Sequence, residues 1–324
     1  MIFGVRPTGR ILKAAFGFAY DFARYVRYAN WRNDLSNKQA RNYSAVKTYH
    51  ALEKSMSFKN RRISSGWDNA LILTQLCEVA AQREDLGFHD TASLSVLRQF
   101  IAQDGNCDRA EADEIGARLN NIQAAVDDTH GTHSLTYHDL QQGKLDNPAK
   151  FFESRYSLRE FRDTPVSDEL IRQAVELAMR APSACNRQPW GVYSTNDRAV
   201  IDTAMHFQTG NKGFGDSIPN LLVVTTDLQA FVPGEEHYQH WIDGGIFSMS
   251  LVLALHALGL GSCCLNWSQK PQVDLQIRNR LKFRPSDTII MMLAVGWPND
   301  DNNVCKSARK PIDEVVHRLE FVSS

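Results

Sequence analysis

Arg155, Ser157 and Arg159 recur at every second position of SRYSLREF, residues 154–161. In an extended or early-helical run, positions i, i+2 and i+4 reach one ligand, and two guanidinium forks with a hydroxyl are the donor set that a phosphate and a nearby polarised ring require. Residues 181–190, APSACNRQPW, form a second stretch of interest. Pro182 and Pro189 fix φ and remove two backbone donors, so the loop is stiff before any ligand arrives; Ser183, Asn186 and Gln188 then hold hydroxyl and amide groups in fixed directions. Such a loop suits a planar heterocycle, although Pro, Ser and Asn are equally what a plain surface turn is made of. A third group lies in DGGIF and HALGLGSCCLNW. There Gly244, Gly245, Gly259 and Gly261 let backbone approach something flat, and free N–H groups near residues 264–266 face a ring nitrogen. GLGSCC is no dinucleotide fingerprint, because the third glycine is absent and the run ends a helix instead of opening one. The fourth group is CKSARKP, residues 305–311, whose Lys306, Arg309 and Lys310 read alone as a surface charge run and, beside Arg155, as the other half of a phosphate clamp.

These groups need a scaffold. From residue 151 the pattern alternates helices with short apolar strands. SDELIRQAVELAMRAP predicts a helix capped by Ser167, with Asp168 and Glu169 in its first turn, Ile171, Ala174, Val175 and Ala178 on one face, and Pro182 as its stop. WGVYST, LLVVTTD and TIIMMLAVGWP predict strands. DGGIFSMSLVLALHALGL predicts a long helix that is apolar nearly all round, hence buried in a core or a subunit interface, and IDEVVHRLEF predicts a terminal helix. Too few strands are present for a doubly wound sheet, so the fold class is α+β. Over residues 38–128 the spacing is mostly helical, including SAVKTYHALEKSM, GWDNALILTQLCEVAAQRE, TASLSVLRQFIAQ and RAEADEIGARLNNIQAAVDD. The polar stretch DDTHGTHSLTYHDLQQGKLDNPAK separates the two patterns, which divides the chain into residues 1–148 and 149–324.

Composition narrows the function classes. A net charge of −1 gives no reason to expect nucleic acid. Six cysteines without a C-x-x-C pair suit reduced thiols. No apolar run reaches the ~18 residues of a membrane span and no leader pattern opens the chain, so the expectation is a cytoplasmic protein. HGTH with His138, and HYQH, have spacings that chelate on a helix, but no Cys or carboxylate set completes either; metal is not expected, and His240 is a candidate for the wall of an acceptor pocket. Residues 10–32 form a basic aromatic helix, which either packs on its own protein through Phe16, Phe18, Tyr20, Phe22 and Tyr25 or makes a peripheral contact with a membrane or protein; packing is favoured because its aromatics form no single stripe.

Taken in order, SRYSLREF, the following helix, APSACNRQPW, DGG…LALHALGLGS, VGWP and RKP resemble the nitroreductase family of FMN-dependent oxidoreductases over residues 149–324. The resemblance implies an α+β FMN domain, a central and mainly antiparallel sheet flanked by helices, in an interlocked homodimer. It implies that Arg155, Tyr156 and Ser157 hold the FMN phosphate with Arg309, helped by Lys306 or Lys310. Arg159 then lies near N1 and O2 of the ring, where reduction places negative charge. Pro182, Ser183, Ala184 and Asn186 reach the flavin from the second subunit. Cys264, Leu265 and Asn266 flank N5 and O4, with Asn211, and more weakly Lys212, at the pyrimidine edge. The expected activity is hydride transfer from NADH or NADPH through FMN to a quinone, nitro compound or enone. A flavin-binding scaffold without turnover, or a flavin oxidase or dehydrogenase acting on a biosynthetic intermediate, are the alternatives. Asn266 stands where several family members carry an acidic residue. YHALEKSMSFKNRR, residues 49–62, resembles a stretch of nitroreductase-like proteins near bacterial polysaccharide-assembly genes, which suggests a link to that biosynthesis; by its residues it is an amphipathic helix followed by a basic surface turn.

Overall fold

A computed structural model describes residues 7–32, 34–124 and 129–322. The first half carries α1 (Pro7–Tyr28), α2 (Lys38–Ser57), α3 (Trp67–Gln82), α4 (Phe88–Ile101) and α5 (Ala110–Asn120). Asn37 caps α2, its side-chain oxygen accepting the N–H groups of Gln39 and Ala40, a contribution of about 1 kcal/mol. Helices α2 to α5 bury one apolar cluster built on Val46, Leu52, Leu73, Leu97, Phe100 and Ile115. The helix expected through Asp128 ends at Asn120, and its last residues, 125–128, which include the start of the expected boundary stretch, lie outside the described residues. That stretch holds two short helices, α6 (Tyr137–Gln141) and α7 (Pro148–Glu153).

The second half carries α8 (Asp168–Ala178), β1 (Trp190–Thr195), α9 (Arg198–Phe207), β2 (Asn220–Asp227), α10 (Gln239–Ala257), β3 (Gly261–Asn266), α11 (Pro271–Arg278) and β4 (Asp287–Gly296). The sheet is antiparallel throughout, in the order β1-β2-β4-β3. Strands β2 and β4 are covered on both faces, which explains why NLLVVTTD and TIIMMLAVG lack polar alternation. Along β2, Leu221 and Val223 enter one apolar cluster with Ile201 of α9 and Ile277 of α11, while Leu222 and Val224 enter the other with Ala174 of α8 and Leu251 of α10. The expected cap of α8 is present, Ser167 Oγ accepting the Leu170 N–H at 3.3 Å, and Ile171, Ala174 and Ala178 are buried.

Two local expectations need correction. Residues 261–266, not among the three expected strands, form a further strand of the sheet; β-propensity is modest in GSCCLN, and only pairing with β4 makes it a strand. IDEVVHRLEF is no helix beyond a single turn at Ile312–Glu314; it is a fully exposed tail, and a helix with nothing to pack its apolar side against has little to stabilise it. Helix α10, expected to be buried in a core or a subunit interface, is covered on one side within the chain and leaves Ile242, Ile246 and Met249 exposed by 40–50% on the other.

Helix α1 docks on the second half. The Tyr20 hydroxyl donates to Asp274 at 2.6 Å, the Arg24 guanidinium donates to the carbonyls of Pro285 and Asp287, and the Tyr25 hydroxyl donates to the carbonyl of Val232. The expected packing holds for the tyrosines, while Phe16, Phe18 and Phe22 stay about two-thirds exposed together with Ile11 and Leu12. At 100° per residue these five side chains share one arc, so the helix does carry a single apolar stripe.

Candidate functional site

The run after α7 lies alongside the free edge of β3. Ser157 bridges Ser262 in parallel, and the Leu158 N–H donates to the Ser262 carbonyl at 3.0 Å. Leu158 is buried, so Ser157 and its even-spaced partners Arg155 and Arg159 face away from the core. Arg155 makes no hydrogen bond or ion pair among the described residues, and neither does the Ser157 hydroxyl. Arg159 reaches only the Cys305 sulfur, at 3.7 Å. One guanidinium group without a partner, a second held only by a thiol, and a hydroxyl without a partner among the described residues, all on one side of an extended segment, fit a bound phosphate. The same Arg159–Cys305 contact brings the tail back to this edge, next to Lys306, Arg309 and Lys310, all exposed; the Arg309 guanidinium is turned back onto the Ser307 carbonyl.

The bridge at Ser262 covers only the start of the β3 edge. In an antiparallel ladder every second residue directs its N–H outward, so the N–H groups of Cys264 and Asn266 point the same way as the Ser262 carbonyl, toward open space. Cys264 and Asn266 are exposed, whereas Leu265 faces the core and has no free side-chain access. Although the residue is exposed, desolvation of its sulfur raises the Cys264 thiol above its ordinary pKa, against the lowering influence of Arg155. Gln208 escaped sequence reading and fixes this strand end: its Nε2 donates to the Asn266 carbonyl at 2.9 Å while its Oε1 accepts the Thr209 and Gly210 N–H groups. Asn211 spends its amide on the Met205 carbonyl at 3.3 Å, inside its own loop, and Lys212 is exposed.

The loop 181–189 leads into β1, at the opposite edge of the sheet from β3. Three strand spacings, roughly 14 Å, separate these edges. Its backbone is unusual: Cys185, Asn186 and Gln188 all have positive φ, near +50°, without a glycine among them. Each costs about 1 kcal/mol or more and persists only where surroundings over-determine it. Ser183 Oγ accepts the Gln188 N–H, the Gln188 amide donates to Asn186, and the Ala184 N–H donates to both oxygens of Asp243 at 3.2 Å. Arg187, almost wholly buried, pairs with Glu236 at 2.7 Å, donates to the carbonyls of Ala184 and Ala230, and lies over Phe231. Pro182 is exposed. Burial raises the Asp243 pKa, offset by the Gln239 amide and the Ala184 N–H. Arg187 and Asp243 were both visible as residues of the quoted motifs; what hid them is that they act on backbone, not on a ligand.

Of the two glycines of DGG, Gly245 faces open space, whereas Gly244 does not open onto a ligand as expected. A Cβ on Gly244 would stand 2.6 Å from Ile290, so this glycine lets α10 approach the sheet where β4 bulges between its pairings with Val224 and Thr225. Gly259, at φ +78°, ends the helix.

A cavity of about 510 Å³ opens beside Asn266, walled by Phe18, Tyr20 and Arg24 of α1 with Trp241 of α10 and Trp267. Asp274 ties it together, accepting from Tyr20, Trp267 and Arg278; burial would raise its pKa, but the Arg278 contact and these hydrogen bonds hold it below the ordinary value. His240 does not line it. The imidazole is buried, stacked 5.9 Å from Tyr25, with Nδ1 unpartnered among the described residues.

Burial and the neighbouring Arg24 and His237 lower the His240 pKa from 6.5 to about 4. The unfolded chain therefore binds a proton on this residue between pH 6.5 and 4 that the folded chain refuses, and stability falls with pH in that window, by about 3 kcal/mol in all. Unfolding free energies measured across pH 4–7 should show this slope in the parent and lose it in His240→Phe; equal slopes would contradict the assignment.

The nitroreductase family model matches residues 152–206, the interval that holds the Arg155 run and the strained loop. Over that interval the chain is similar to the nitroreductase family. Two relatives are each similar to about half of the chain. A protein of Archaeoglobus fulgidus described as an NADH dehydrogenase/NAD(P)H nitroreductase is 27% identical over 176 residues, covering 53% of this chain and 97% of its own. An NADH dehydrogenase of Thermus thermophilus is 28% identical over 193 residues, 50% of this chain and 91% of that one. Among solved structures, a protein of Desulfovibrio desulfuricans described as a nitroreductase, in complex with FMN, aligns with 55% of this chain and 100% of its own at 23% identity and a TM-score of 0.47.

Proposed function

We propose that the chain is an FMN-dependent oxidoreductase that takes hydride from NADH or NADPH and delivers it to a small oxidised acceptor. The observation that carries this reading is the set of unpaired donors along one sheet edge: Arg155, Ser157 and Arg159, then the outward N–H groups of Cys264 and Asn266. Arg155 and Ser157 would hold the phosphate, with Arg309, Lys306 or Lys310 closing over it from the tail. Arg159 would stabilise negative charge at the pyrimidine end of the ring, and the outward N–H groups would meet its central edge. Bound FMN supplies the hydride chemistry; the protein supplies position, charge and exclusion of water. Asn211 is the weakest member of the set, since its amide is already spent.

Pro182, Ser183, Ala184 and Asn186 lie at the far edge of the sheet, so the proposed site takes them from a second copy of the chain, related by a twofold axis. Two surfaces support that assembly: the outward face of α10, with Ile242, Ile246 and Met249, and the tail, whose Leu319 and Phe321 touch nothing in one chain. The acceptor would enter the cavity beside Asn266, where Phe18, Tyr20, Trp241 and Trp267 suit a flat quinone, nitroaromatic or enone. Residues 1–148 thus form a helical unit whose first helix walls the acceptor pocket, and a role in polysaccharide biosynthesis is proposed for the whole. No helix among the described residues is long and apolar enough to cross a membrane.

The test combines cofactor extraction with light scattering. One FMN per chain in particles of two chains is the expected result. A flavin-free protein that takes up no FMN, or one that binds FMN as a monomer, contradicts the shared site.

A further inference from the structure

YHALEKSMSFKNRR is not used by the flavin site, yet the fold places it around a second concave surface. A cavity of about 560 Å³ lies between α2, α3 and the strained loop, and Cys185 and Arg187 form its floor. A neighbouring cavity of about 480 Å³ shares Ala51, Lys54 and Asn69 with it, so the two make one groove. Its charge is one-sided. Lys47, His50 and Lys54 line the first cavity, Lys54, Arg61 and Arg62 line the second, and no Asp or Glu lines either among the described residues. Glu53 lies against His50 and Glu236 is bound to Arg187. Arg61 is committed to Ser55, Ser65 and Asn106, but the ammonium groups of Lys47 and Lys54 and the Arg62 guanidinium have no hydrogen bond or ion pair among the described residues.

The larger cavity differs from the smaller one in chemistry. Ile72, Leu76 and Val232 give it apolar walls, and Asn69 and Gln75 add amide groups that suit the edge of a heterocycle. Lys47 and Lys54 sit two helical turns apart on α2, about 10 Å, the span of a small phosphorylated molecule.

We infer that this groove binds a nucleoside diphosphate, with the base in the larger cavity and the diphosphate against Lys54, Arg61 and Arg62. Because Cys185 belongs to both the groove and the loop that carries Asn186, occupancy here reports directly to the loop proposed to meet the flavin.

Calorimetry on the full chain with its cofactor, using ADP, UDP, pyrophosphate and uridine at low salt, tests the assignment. Either nucleoside diphosphate should bind more tightly than pyrophosphate or uridine. Lys54→Glu should weaken it about tenfold or more with flavin content unchanged, and Lys47→Glu should act in the same direction. Alkylation of Cys185, followed by peptide mass, should slow in the presence of the ligand while that of exposed Cys107 does not. Absence of binding by both diphosphates up to about 1 mM, binding that Lys47→Glu and Lys54→Glu together leave unchanged, or pyrophosphate binding as tightly as ADP and UDP would each overturn it.

Discussion

Arg155→Ala is expected to leave the purified protein nearly colourless, with FMN affinity lowered about tenfold to a hundredfold, the loss of one charge-assisted phosphate contact of about 1.5–3 kcal/mol. The direction follows from the isolation of this guanidinium. Among the described residues it has no hydrogen-bond or ion-pair partner, so its removal should cost the fold little, and thermal unfolding of the flavin-free variant should match that of the flavin-free parent. Arg309→Ala should act in the same sense, since the tail returns to this edge at Cys305. Unchanged flavin occupancy in both would mean that the phosphate lies elsewhere.

Arg187→Ala carries the largest expected cost to stability. It removes a buried ion pair and hydrogen bonds to two carbonyls, leaving Glu236 unpaired, which amounts to about 3–5 kcal/mol. The effect is local as well as global. Arg187 stands between Asn186 and Gln188, both at positive φ, and it anchors the strained loop to the body of the domain. A lower unfolding temperature together with reduced flavin retention is the expected pair of results. Glu236 gives the pH signature: burial raises its pKa, but pairing with Arg187 and the Val232 N–H bring it below 4.5, so its stabilisation is complete above that pH and fades as pH falls through the folded value. Arg187→Ala should remove that acid-side loss, and a variant as stable as the parent would contradict the anchor role.

Much of the C-terminal half is legible because its signals are local. The Ser167 cap, the apolar runs of β2 and β4, and the two-residue spacing of Arg155, Ser157 and Arg159 each report on a few neighbouring residues, and each has the expected form. β3 was illegible for the opposite reason: GSCCLN is a strand only because β4 offers its edge. The glycines of DGG were read as room for a ligand, whereas Gly244 makes room for Ile290 across the sheet, a contact between positions far apart in sequence. Gln208, Arg187 and Asp243 are not legible in the sequence because their partners are groups of the fold itself, main-chain groups together with Glu236 and Gln239, that no motif records. The role of α1 was half visible. Its tyrosines dock as expected, but that Phe18, Tyr20 and Arg24 wall a cavity next to Asn266 depends on where α11 and β4 place Asp274 and Asp287.

Anaerobic titration of the purified, FMN-loaded protein with NADH and with NADPH tests the central claim most directly. Stoichiometric bleaching of the yellow absorbance by at least one of them, reversed by a quinone or nitroaromatic, is the predicted result. A stable yellow protein that neither nucleotide bleaches would contradict it.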